Sequence, residues 1–384
     1  LEAKVDPHTV AHSLAYLLFR LRDERRHETD PLLYTALLGD GLDPLVTRSF
    51  APLADRVTSL TARLAGIPAV VATAKANLRR APKLHTETAI RQTAGLIAFV
   101  RAPVQAAAAP LPDKQAALAK AADDAAKALE ELRTYLQKEL LPKAKDEFRL
   151  GRALYEKKLR FELDSDIGVD ALADEARTLL GETHEQMFDT AVAVWGELGV
   201  PASAPPKTAP PAEKKAFVRK TLAKLAEDRP DNRTIVDEAK KLLVDTTAFV
   251  RAKNLVRVPD EPCDVIEMPE YKRGVAIAYC DSTGPLEKKH EAVYAIAPTP
   301  KEWPPKRVTS FYQEYNRSML ADLTIHEAMP GHYLQGMHAV RAPRVARAIF
   351  SNGPYVEGWA VYAEWLMAQH GYGGAKVRIQ REKM

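Results

Sequence analysis

Cysteine is nearly absent from this chain of 384 residues. Cys263 and Cys280 are the only two, so no disulfide framework holds the fold, although one bridge between them stays open. A sustained basic block is also missing: the net charge of +4 is spread over interleaved acidic and basic residues, which removes the electrostatic footprint of a nucleic-acid binder. Uninterrupted apolar runs fall short of the roughly 20 residues that cross a bilayer, and no signal-like stretch opens the sequence, so no membrane span is expected. The expectation is therefore a soluble protein of open compartment, cytoplasmic or exported, and the start at Leu1 in place of methionine is consistent with an upstream segment having been removed. What the chain does contain is ordinary for a globular protein. With 46% hydrophobic and 28% charged residues it has ample material for a core, and its length suggests two or three domains.

Residues 7 to 195 read as successive helices, each with apolar residues recurring at three and four. The Ala/Lys-rich segment around 113 to 148 alternates acidic and basic residues, which points to a solvated or bundle-packed helix and away from a membrane surface. "PASAPPKTAPPAEKK" at 201 to 215 is too rich in proline for regular structure and reads as an extended connection. The expected organisation is therefore a helical N-terminal lobe over 1–200, this connection, and a helical catalytic region over 216–384. Within the latter, "DVIEMP", "VAIAYC" and "AVYAIAP" are short, branched and aromatic, with "DSTG" as a turn, and predict a small antiparallel sheet at about 262–300. Helix then resumes in "SFYQEYNRSMLADLTIHEAM", where Ser310 and Gln313 fit a capping box and Tyr315, Met319, Leu323 and His326 share one face.

"HEAMPGH" at 326 to 332 carries the chemistry. A helix that grips zinc with two histidines normally spaces them four apart, on one face; His332 lies six after His326, about 120° away on an ideal helix. Pro330 has no N–H to return to the His326 carbonyl, and Gly331 admits backbone paths closed to other residues. The helix is expected to break or bulge there, with two residues looped out so that His332 takes the place of the usual fourth residue.

Zinc needs a third protein ligand if its fourth position is left for water. Glu357 is the strongest candidate, in the first turn of the helix within "SNGPYVEGWAVYAEWLMAQHGYGG", which Ser351 or Asn352 caps and Gly371 ends. Glu364, seven residues on, falls on the same face, where it would hold a ligating imidazole through its outer N–H. Glu327, beside a ligand, is placed to act as general base.

"HEAMPGHYLQ" followed by "YVEGWAVYAE", with "FYQEYNRSML" and "RLGRALYEKKLRF" upstream, resembles the bacterial family catalogued as domain of unknown function 885, regarded as zinc peptidases related to the gluzincins. The resemblance is sharp from about 310 to 384 and weaker over the rest. It implies His326, His332 and Glu357 as zinc ligands and Glu327 as catalytic base. The fold it implies is mainly α, the two-lobed helical channel of the angiotensin-converting and oligopeptidase-like enzymes, with a small sheet beside the zinc. The expected activity is hydrolysis of peptide bonds in short peptides by zinc-activated water, with an edge strand such as "AVYAIAP" holding the substrate backbone.

Two other functions share these residues: a catalytically inactive helical binding protein that keeps the scaffold, and a metal-dependent amidase acting on a non-peptide substrate. The last stretch, "GGAKVRIQREKM", reads as the opening of another helix with no stop signal, and the resembling family continues beyond it. A further C-terminal segment of the same protein is thus the expected partner, supplying donors to the oxyanion and covering apolar surface near the cleft.

Overall fold

The chain divides between residues 158 and 159: one unit is Val10–Lys158, the other Leu1–Thr9 with Leu159–Met384. The computed structural model describes residues 2–199, 203–268, 277–282, 284, 287, 291–300, 303–342 and 344–384. The proline-rich segment is thus not the division. Helix Val169–Leu198, expected in the N-terminal lobe, buries Met187, Phe188, Ala191, Val194 and Trp195 with Phe217, Leu225 and Ile379 of the second unit, so its apolar stripe decides its membership. The connection itself is shorter than its composition indicates, because a helix starts at Pro211, where proline's preset φ suits a first turn. Residues 201 and 202 of that connection lie outside the described residues.

The first unit is a helical bundle. Helix Leu53–Asn77 lies between helices Pro31–Thr47 and Pro112–Tyr135. By length and composition Leu53–Asn77 is apolar enough to cross a membrane, which the absence of an uninterrupted apolar run did not predict. Its stripe of Val57, Leu60, Leu64, Ile67 and Val71 is nevertheless buried in the bundle core, while Arg63 and Lys75 interrupt the rest, as in the core helix of a bundle. The Ala-rich helix faces it with Leu118, Ala122, Ala125, Leu129 and Leu132, among them small residues that let the two backbones approach closely.

The second unit carries the sheet: β1 (Cys263–Glu267), β2 (Ala278–Asp281) and β3 (Ala292–Ile296). It is mixed, not antiparallel as expected. β1 runs parallel to β3 and β2 antiparallel to it, in the order β1-β3-β2. β3, the "AVYAIAP" strand expected at an edge, is therefore central, and its burial explains why: Ala292, Tyr294, Ala295 and Ile296 are all buried, a pattern of a strand covered on both faces. Val275, Ala276 and Thr283 of the predicted strand and turn lie outside the described residues. Cys263 and Cys280 are free thiols on opposite sides of β3, and burial pushes the Cys263 thiol up to about 12.

The segment read as one helix from Ser310 is two. Helix Pro305–Glu314 ends, Tyr315 leaves helical geometry, and Asn316 starts helix Arg317–Glu327 by accepting from the Ser318 and Met319 N–H groups. An asparagine cap satisfies two orphan donors at once, which outcompetes the Ser310 box. Helix Arg317–Glu327 packs against Ile235–Lys253, Gly353–Gln369 and Gly374–Lys383, and it also touches β2.

Candidate metal centre

Helix Arg317–Glu327 stops right after Glu327, and a new helix begins at His332. Between them Ala328 turns out of helical geometry, and the Met329–Pro330 peptide is cis. The interruption keeps a trace of helical register: the Leu334 N–H reaches the Ala328 carbonyl at 3.4 Å, a span of six residues, which is the ordinary step of four plus two. His326 and His332 are offset by the same six. A Cβ at position 331 would collide with the main-chain carbonyls of Ile325 and His326, so glycine is required there by close approach.

The two imidazoles meet edge to face, centroids 4.8 Å apart at 87°. Asn352 caps helix Gly353–Gln369 through the Tyr355 N–H, and Glu357, expected in the first turn, opens the second turn of that helix. Glu357 Oε2 lies 3.5 Å from His326 Nε2 and 3.6 Å from His332 Nε2, and the three candidate donor atoms all fall within 4.8 Å of one another. Tetrahedral zinc with bonds of about 2.0–2.1 Å would hold neighbouring donors roughly 3.3–3.4 Å apart, so the present spacing fits the ion with small adjustment. Two imidazoles and one carboxylate are also the donor set of open, catalytic zinc sites.

Glu364, two turns beyond Glu357 and 2% exposed, contacts His326 Nδ1 at 2.6 Å. With that nitrogen donating to Glu364, Nε2 presents its lone pair toward Glu357 and His332. Burial pulls the His326 imidazole down, but the Glu364 hydrogen bond and charge, aided by Glu327 and Glu357, more than offset it and leave it above its ordinary value. His332 lacks a carboxylate on its far nitrogen among the described residues: burial and then the charge of His326 hold it below its ordinary value against the pull of Glu357, and its buried Nδ1 has no partner there. Glu327 is buried, and burial first, then the charge of Glu357, raise its carboxyl although His326 and a hydrogen bond from the Cys280 backbone N–H act the other way.

The whole chain, residues 1–384, matches the family described as "Bacterial protein of unknown function (DUF885)". The chain belongs to that family. Among solved structures, a candidate lipoprotein of unknown function from Shewanella oneidensis is 27% identical, with a TM-score of 0.71 over 99% of this chain and 68% of that one. A candidate lipoprotein from Colwellia psychrerythraea shares the fold at 15% identity and a TM-score of 0.65, over 88% of this chain and 60% of its own. The chain thus spans less than two thirds of the second protein. No curated protein matches it.

Three features of this DUF885 chain were not singled out in the sequence. Trp359 Nε1 donates to the Pro330 carbonyl at 2.9 Å and lies 3.3 Å from that of Gly331. Its only sequence signal is its place beside Gly358 in "EGW". Asp322, one turn before His326, is 1% exposed, with both carboxylate oxygens unpartnered among the described residues; it is a lone acid in an apolar stretch. The Cys280 N–H on Glu327 has no signal at all, since it depends on where β2 lands. Asn316 caps helix Arg317–Glu327, and Arg317 pairs with Asp228 and Glu238.

Proposed function

We propose that this protein hydrolyses peptide bonds in short peptides and depends on zinc held by His326, His332 and Glu357. The observation that carries this reading is the convergence of two Nε2 atoms and one carboxylate oxygen within 4.8 Å, with Glu364 on the far nitrogen of His326. Bound zinc would supply a Lewis acid that polarises the scissile carbonyl and brings the pKa of coordinated water to about 7. Glu327 takes one proton from the attacking water as its oxygen bonds the carbonyl carbon, then delivers it to the amine nitrogen as the C–N bond breaks. Burial raises the Glu327 carboxyl above its ordinary value, which makes its carboxylate a stronger proton acceptor. Glu364 locks the tautomer of His326. Among the described residues β1 and β2 are the strands with a free edge, and β2, which reaches Glu327, is the better placed to hold an extended substrate by strand addition.

Metal analysis of protein purified without added zinc, followed by a peptide library read by mass spectrometry, tests the reading. Stoichiometric zinc with cleaved peptides is the expected result. Neither bound zinc nor a zinc-dependent thermal shift would leave an inactive binding scaffold, and zinc without peptide cleavage would point to an amidase on another substrate.

A further inference from the structure

The segment between the two histidines is held from the other side of the site. Its backbone cannot close on itself as a helix does, because the proline lacks a donor and the turn carries residues 328 to 331 away from helical geometry. Carbonyls freed by such a break need donors from elsewhere. Trp359 provides one for Pro330: the indole N–H, a donor only, meets the Pro330 carbonyl at 2.9 Å, with the Gly331 carbonyl, which also accepts from the Gln335 N–H, at 3.3 Å. Trp359 is half-buried and packed against the core that contains Met329, Tyr333 and Leu334, which limits its rotamers. It also stands two residues after Glu357 on the same helix.

We infer that Trp359 is a positioning residue, whose indole N–H clasps the 330–331 carbonyls and so ties the helix bearing Glu357 to the turn that sets the His326–His332 spacing. One side chain thereby couples all three donors. If the clasp opens, this hydrogen-bonded link between the turn and the Glu357 helix is lost, and Glu357 loses its fixed offset from the two imidazoles. The inference rests on the zinc reading above, since the affinity it predicts belongs to that site.

The cleanest probe changes the donor and nothing else. Trp359→3-benzothienylalanine replaces the N–H by sulfur in a ring of nearly the same shape, and Trp359→Phe is its genetically simple counterpart. Trp365→Phe is the control, an exposed aromatic on the same helix and away from the turn. Zinc affinity by chelator competition should fall about 10-fold or more in both Trp359 variants, within the range for groups that support ligands. The control should match wild type. Melting of the zinc-free benzothienyl variant should stay at the wild-type value, separating positioning from general stability. Hydrogen exchange over residues 329–335 should speed up in the metal-free variant, a readout that needs no zinc.

Unchanged zinc affinity and unchanged exchange in the benzothienyl variant would overturn the clasp even with the wild type loaded. Exchange that speeds up while affinity holds would show a structural hydrogen bond and overturn the positioning role. A wild type that binds no zinc would overturn the metal reading, and with it this inference.

Discussion

Both units bury polar side chains, and they group them differently. In the bundle, Thr86 and Thr93 are fully buried, yet each hydroxyl donates to a carbonyl one turn back, at 2.9 and 2.7 Å. Arg56 in the same unit donates to the Ala51 and Leu45 carbonyls. Around His326, by contrast, Asp322 keeps two orphaned oxygens, His332 an orphaned Nδ1, and Glu327 and Glu364 are buried carboxyls. A buried polar group without a partner costs roughly 1–3 kcal/mol, and a fold tolerates it where the arrangement serves something other than stability. Among the described residues the bundle too has buried orphans, at Glu24 Oε2, His85 Nδ1 and Arg133 Nε, and Thr221, Thr246 and Thr324 of the second unit bond their own helices; what distinguishes the surroundings of His326 is that orphaned atoms, buried carboxyls and two imidazoles gather there.

The largest effect that would sharpen this contrast is a loss of turnover with no loss of fold. E327Q removes the proton acceptor and keeps a polar side chain of similar size, so peptide hydrolysis should fall at least about 10²-fold, with zinc content and melting temperature unchanged. Turnover equal to wild type would remove Glu327 from the mechanism. The reverse pattern is expected in the bundle. L64A opens a cavity at a position with no exposure and should cost about 2–5 kcal/mol by denaturant titration, while zinc affinity of the folded fraction holds. An equal loss of zinc affinity there would erase the distinction between the units.

How much of this was readable beforehand follows the same divide. Periodicity announced the helices because each buries one stripe, and Leu60, Leu64, Ile67 and Val71 are that stripe in the packed bundle. The convergence of His326, His332 and Glu357 was readable too, since the chemistry of a candidate ligand restricts residue type and Pro330 with Gly331 marks the break between His326 and His332. Partnerships set by tertiary placement were not. Whether β3 is central depends on β1 joining it in parallel, which no local pattern encodes. The Asn316 cap lay hidden because Ser310 offered a better-known motif, and the backbone chose the residue that could satisfy two amides. Trp359 and Asp322 look like core residues in sequence; only their neighbours, or the lack of them, give them a role.

Asp322 gives a smaller, pH-dependent effect. Burial first, and the charge of Glu364 second, hold its carboxyl well above the 3.8 of an ordinary aspartate, although Arg381 and His326 pull the other way. A raised value means that the folded chain binds the proton more tightly than the unfolded one. Its contribution to stability is therefore fully present below about pH 3.8 and is lost as pH rises through the raised value. Asparagine does not titrate, so zinc-free D322N should gain on wild type from acid to neutral pH, by about 1–3 kcal/mol at the upper end. Parallel stability–pH curves would mean that Asp322 is not held as a neutral acid.

The smallest expected effect bears hardest on the comparison. Thr93 is as deeply buried as Asp322, and T93V deletes its hydroxyl at nearly constant shape. The carbonyl it bonds belongs to Ala89, inside the same helix, and keeps a backbone N–H from the helical ladder after the hydroxyl is gone. No donor or acceptor is left stranded, so only the modest net worth of one hydrogen bond is lost, partly offset by burying a methyl in its place. The expected change is below about 1 kcal/mol and flat with pH, since nothing titrates. If T93V instead costs as much as a stranded polar group, then burial alone sets the penalty, and the orphaned atoms around His326 lose their standing as a mark of the site.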